Sequence, residues 1–297
     1  METLKTSSQS TVAFGSLRKM VQKHPLFFFF LLAYTFSWIV FIPYVLSEWS
    51  ILPGNFTIFY ILHTFGPAMA AIVMTAIIAG RTGLHDLRQR IRQWRASRQW
   101  YLFILLVIPA LVMLGVIIQP GALASFKGLT PLLLLSYPVY YIATFFGGGP
   151  LGEEPGWRGF ALPRMQPRYG PLLGTLFLGV LWSCWHLPDF LTVSKGGGVG
   201  TDWTTFLTNF PIFALGVISL AVIMTWIFNH THRSIFTAIL AHASVNTPES
   251  SGLIALFPAV SMIGAHWGLF IGFGVPALLI IILTRGRLGY KDQKILC

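Results

Sequence analysis

Residues 206–229 read FLTNFPIFALGVISLAVIMTWIFN, a run of 24 without a charged side chain. As an α-helix rising about 1.5 Å per residue it spans about 36 Å, enough to cross a hydrocarbon core about 30 Å thick. Outward from it, further apolar runs between charges or Gly and Pro breaks lie near 25–47, 56–79, 100–118, 131–147, 171–190, 235–262 and 265–284. The pattern predicts an all-α fold, a polytopic bundle of about eight transmembrane helices, because an apolar run of this length satisfies its backbone in lipid as a helix. Composition agrees: 55% of the 297 residues are hydrophobic and 10% charged, with a mean hydropathy of +0.70. The expectation is a multi-pass integral membrane protein in the plasma membrane of a prokaryote.

The net charge of +11 does not point to nucleic acid, because the basic residues collect between the spans. With both termini cytoplasmic, the inner segments hold Lys5, Arg18, Lys19 and Lys23, then Arg81, Arg88, Arg90, Arg92, Arg95 and Arg98. They also hold Arg158, Arg164, Arg168 and Arg233, and finally Arg285, Arg287, Lys291 and Lys294. Only Lys127 and Lys195 fall outside, an 18-to-2 division of the 20 cations that an odd number of spans would destroy. Segment 81–99 sets Leu84, Leu87, Ile91 and Trp94 at helical spacing against its arginines, the pattern of a surface helix on anionic lipid headgroups.

Arg18, Lys19 and Lys23 precede the first run like the basic start of a signal peptide. The run itself is too long for such a leader and lacks a small-residue cleavage site, so it reads as a retained span. Cys184 and Cys297 support neither a disulfide framework nor a thiolate metal site. Lys294-Ile295-Leu296-Cys297 is not a prenylation signal, which sets Cys fourth from the end. The chain divides into a cytoplasmic tail (1–24), N-terminal spans with the basic segment (25–129), a core carrying the chemistry (130–250), C-terminal spans (251–284) and a basic cytoplasmic tail (285–297).

Ionisable groups inside apolar segments are costly, and each is a functional candidate. They stand in Glu153-Glu154-Pro155-Gly156-Trp157-Arg158, in Trp182-Ser183-Cys184-Trp185-His186, in His242-Ala243-Ser244-Val245-Asn246, and at His63 and His266. At i,i+4 Arg158 can hold Glu154 ionised, leaving Glu153 to accept a proton from water. Pro155 suits a first helical turn, with Glu154 as its cap; the plain alternative for the whole motif is a juxtamembrane salt bridge. Trp182 and His186 share one helix face, as do His242 and Asn246. Glu153, alone or with His186, is placed to deprotonate water, and His242 and Asn246 to donate to a developing oxyanion. Cys184 and Ser244 lie off these faces, so a side-chain nucleophile is the weaker branch. For His63 and His266 the expectation is ordinary interior hydrogen bonding.

In these three motifs, EExxxR, aromatic-xxxH and HxxxN, the sequence resembles the CAAX-protease and bacteriocin-processing family, which includes the type II CAAX prenyl endopeptidases. Trp182 stands where Phe is usual. The resemblance covers roughly residues 130–250. It implies an eight-helix bundle whose cavity opens toward the cytosol, with Glu153 and His186 activating water, His242 and Asn246 stabilising the oxyanion, and Glu154, Arg158 and Trp182 supporting them. Members are often called metalloproteases, and Glu153, His186 and His242 offer the three ligands of an open zinc site. The preferred reading requires no cofactor. The substrate expected is a membrane-associated peptide or protein. The readings set against it are a proton-coupled transporter, for which no internal repeat is found, and a non-catalytic immunity or scaffold protein of the same fold.

Overall fold

A computed structural model describes residues 18–147, 149–195, 197–199 and 203–291. Lys5, Lys294, Cys297 and parts of the 194–205 loop lie outside the described residues. Beyond the helical residues 18–23, twelve α-helices can be followed through them: α1 (Pro25–Glu48), α2 (Thr57–His63), α3 (Gly66–Arg92), α4 (Arg98–Leu102), α5 (Ile108–Ile117) and α6 (Pro131–Phe146). Then come α7 (Pro150–Gly156), α8 (Leu162–Tyr169), α9 (Pro171–Trp185), α10 (Trp203–His230), α11 (Ile235–Ser250) and α12 (Met262–Leu283). Single π-helical turns, Phe103–Val107 and Trp157–Ala161, join α4 to α5 and α7 to α8.

Among the described residues, six passages are long and apolar enough to cross a membrane: Pro25–Glu48, Thr57–Arg92, Arg98–Ile117, Pro171–Leu191, Trp203–His230 and Met262–Leu283. Pro131–Phe146 and Pro150–Tyr169, bent by 42°, count as a seventh when the bent pair is taken as one broken span. The chain is an integral membrane protein. The expected span over 235–262 is not one helix, though its helical part still passes through the bundle from beside Arg233 to the cavity residues Glu249 and Ser250, which keeps the number of passages even. The helix ends at Ser250 after 16 residues, where Gly252 takes a φ of 83° and a turn at Ile254–Leu256 intervenes. His242, Ser244 and Thr247 of α11 are all buried against protein. A helix wrapped by its neighbours has no lipid hydropathy to match, which is why it can carry these polar groups.

Two backbone features set the depth of the chemistry. Gly170, with a φ of 83°, turns α8 back into α9, so the two lie antiparallel. Glu153 stands 17 residues before that turn and His186 16 after it, which lifts both about 25 Å from it at helical rise. The break between Phe146 and Pro150 lets the glutamate motif begin within the bundle. Gly149, with a φ of 38°, is the N-cap of α7, and Pro150 fills its first position, where a missing N–H costs nothing. Glu154 is therefore not the cap, and Pro155 sits inside the helix.

The glutamates also lie within a Gly-xxx-Gly pair. A Cβ on Gly152 would come 2.5 Å from the Thr64 carbonyl oxygen, and one on Gly156 2.5 Å from Pro67 Cβ. Bare backbone on that face brings α7 directly against α2 and α3.

The basic segment departs from a helix over 81–99. It leaves a kink at Gly80 (φ 60°, ψ −147°) and is helical only to Arg92, because the Gln93 carbonyl turns to accept from Ser234 Oγ. Arg90 pairs with Asp86 at 3.1 Å and donates 2.7 Å to the Gly159 carbonyl in the π turn. That arginine holds the bundle rather than lipid.

Candidate active site

A cavity of about 400 Å³ is lined by Glu153, Trp182, His186, His242 and Asn246, together with His63 and Asp189. Its rim carries Tyr60, Thr144, Lys195, Glu249 and Ser250, where loops and helix ends lie at the opposite end of the bundle from Arg164, Arg168 and Arg233.

Glu153 is 2% exposed. Its Oε2 accepts from Trp182 Nε1 at 2.7 Å and from Trp157 Nε1 at 3.2 Å. Two neutral indoles fix one oxygen without neutralising the group. The other oxygen faces open space. A Cβ on Gly149 would stand 3.8 Å from Glu153 Oε1 and 3.5 Å from Asn246 Nδ2, so the absent side chain leaves room for a small molecule between a carboxylate and an amide donor.

Glu154 is fully buried and has a different task. Its Oε1 accepts from Arg158 Nη1 at 3.0 Å and from His242 Nδ1 at 2.9 Å. Arg158, counted among the juxtamembrane cations in the charge division, is 0% exposed; without it the division stands at 17 to 2. Its guanidinium also lies 4.4 Å over the Trp182 ring, and His242 meets the same ring edge-on at 5.3 Å. Trp182 thus binds one glutamate, covers the arginine of the other and braces a histidine. One indole couples three motifs.

His186 ends α9, and the 3₁₀ turn Leu187–Leu191 follows. Three residues per turn bring i and i+3 onto one side, and His186 Nδ1 lies 2.7 Å from Asp189 Oδ2. The other oxygen of Asp189 is 3.6 Å from His63 Nε2. His63 donates through Nδ1 to the Tyr60 carbonyl at 2.5 Å and stacks on Trp185 at 5.4 Å. Neither Asp189 nor a role for His63 was read from the sequence. The signal available was an acid three residues after His186 in an apolar stretch. His266 departs from expectation in the other direction: it is 4% exposed, and neither ring nitrogen has a partner among the described residues.

The side-chain nucleophiles stand elsewhere. Ser244 shares a 3.1 Å hydrogen bond with Tyr141 of α6, and Cys184 is a half-buried free thiol away from the cavity lining. No group of three or more His, Cys, Asp and Glu side chains among the described residues is arranged to hold a metal.

All three motifs fall within residues 135–248, which match the model of the family described as type II CAAX prenyl endopeptidase Rce1-like. Over that segment the chain is similar to the Rce1-like family. The CAAX prenyl protease 2 of Methanococcus maripaludis is 27% identical to it over 156 residues, or 48% of this chain and 53% of that protein. The chain spans about half the length of that curated relative. The Rce1-like segment begins inside α6 and ends inside α11, so it contains Glu153, Trp182, His186, His242 and Asn246 but not His63, which reaches the cavity from α2.

Proposed function

We propose that the protein is an intramembrane endopeptidase that hydrolyses a peptide bond in a membrane-associated substrate, a prenylated CAAX-type C-terminus being the class favoured by the family. The observation that carries this is the space at Gly149 between Glu153 Oε1 and Asn246 Nδ2. A water there can give its proton to Glu153, assisted by His186, while its oxygen adds to the substrate carbonyl. Asn246 Nδ2 donates to the resulting oxyanion. For His242 to donate as well, its ring must carry a second proton, and the Glu154 carboxylate at Nδ1 stabilises that imidazolium. The proton taken from water passes to the leaving amine as the C–N bond breaks.

Glu153→Gln keeps both indole acceptor contacts within reach and removes the base. It is expected to abolish cleavage of a fluorogenic farnesylated CAAX peptide while still retaining the peptide, as read by peptide capture and mass spectrometry. Full activity in that variant would overturn the mechanism.

Orientation follows from charge. Two expectations exclude one another in this fold, since the cavity rim lies away from the arginines: they cannot be cytoplasmic together. The 17-to-2 division favours cytoplasmic arginines and termini, with the cavity open to the other face. Arg81, Arg88, Arg92, Arg95 and Arg98 are exposed and suit anionic headgroups. In a Cys184→Ser, Cys297→Ser background, Glu249→Cys is expected to react with an impermeant maleimide in intact cells, and Gln93→Cys only after permeabilisation. The reverse pattern would invert the orientation.

A further inference from the structure

We infer that Asp189 is a positioning residue: it fixes His186 with its proton on Nδ1, so that Nε2 presents a lone pair to the cavity. The argument is one of donors and acceptors. A carboxylate oxygen 2.7 Å from Nδ1 accepts, so Nδ1 carries the proton and a neutral ring has its lone pair on Nε2. An unconstrained neutral imidazole prefers the opposite tautomer. Without Asp189, His186 would favour a donor where a base is needed.

Asp189 is itself held on every side. It is 5% exposed, its N–H donates to the His186 carbonyl at 3.0 Å, and its own carbonyl accepts from Thr192 Oγ1 at 2.6 Å. His63 guards its second oxygen at 3.6 Å, a separation that a water can bridge. The His63 backbone is tied to α1 by Ser37 Oγ donating 2.8 Å to its carbonyl. His63 thereby links the Asp189–His186 pair to the N-terminal helices α1 and α2, outside the matched family segment 135–248.

The tautomer can be read without a substrate, so its test is separable from the peptidase reading, on which the effect on rate rests. In the full-length protein labelled with ¹⁵N-histidine in detergent, the signal removed by His186→Asn identifies His186. The expected wild-type pattern is a protonated Nδ1 and an unprotonated Nε2. Asp189→Ala should shift His186 toward the Nε2-protonated form, and Asp189→Asn, which can still accept from Nδ1, should hold the original one. With a farnesylated peptide, Asp189→Ala should lower kcat on the order of 10²-fold with KM within about threefold, and Asp189→Asn should restore part of it. A wild-type His186 protonated at Nε2 would overturn the inference even if Asp189→Ala fails to fold. So would a kcat loss that merely tracks the folded fraction, or one that appears in KM.

Discussion

His242 and His186 face one cavity, and each gives Nδ1 to a buried carboxylate, yet the two carboxylates are held differently. Glu154 is clamped by the guanidinium of Arg158 at 3.0 Å, one turn away on the same helix run, with Trp182 lying against it. Asp189 is not bonded to a guanidinium: Lys195 lines the same cavity, and the second neighbour of Asp189 is another imidazole, His63, from a helix more than a hundred residues earlier. The first arrangement gives His242 a carboxylate already bonded to a guanidinium. The second gives His186 a carboxylate that stands between two imidazoles.

The largest effect expected from breaking this contrast is at Arg158. Arg158→Met strands Glu154 in the bundle with only His242 for company, and loss of one partner of a buried pair costs about 3–5 kcal/mol. Reduced abundance and a lower thermal midpoint in detergent would show it, and an unchanged midpoint would make the clamp dispensable. Gly149→Ala tests the space between the two walls. A methyl 3.8 Å from Glu153 Oε1 and 3.5 Å from Asn246 Nδ2 fills the place assigned to water, and φ 38° with ψ −103° adds about 1–3 kcal/mol of backbone strain. Peptide cleavage is expected to fall at least about tenfold, a cost of about 1.4 kcal/mol in the transition state, with the protein still folded. The smallest effect is at His63. His63→Phe leaves Asp189 with His186 and keeps the ring stacked on Trp185, so cleavage should change by only a few-fold. A loss as large as that from Arg158→Met would mean the two carboxylates are held alike.

Much of this was legible beforehand for a simple reason: lipid imposes length and apolarity on any helix it surrounds. The runs at 25–47, 100–118 and 206–229 correspond to helical passages within a few residues. The i,i+4 logic also paired Glu154 with Arg158 and kept Glu153 apart. It failed where protein, not lipid, surrounds the helix. The run 235–262 reads as one apolar segment, but a backbone glycine past Ser250 ends the helix, and hydropathy averaged over the run does not register that turn. Arg158 was counted with the surface arginines because position along the chain says nothing of burial.

The sequence by itself determined an integral membrane helical bundle, its charge asymmetry and the residue types available for chemistry, since these depend on composition and local periodicity. Tertiary structure decided which of them meet. The turn at Gly170 sets Glu153 and Trp182 at one depth, and the bare face of Gly152 and Gly156 admits α2 close enough to bring His63 to the cavity. The partner of Asp189 across more than a hundred residues is fixed by packing, and no local pattern encodes a contact made that far away.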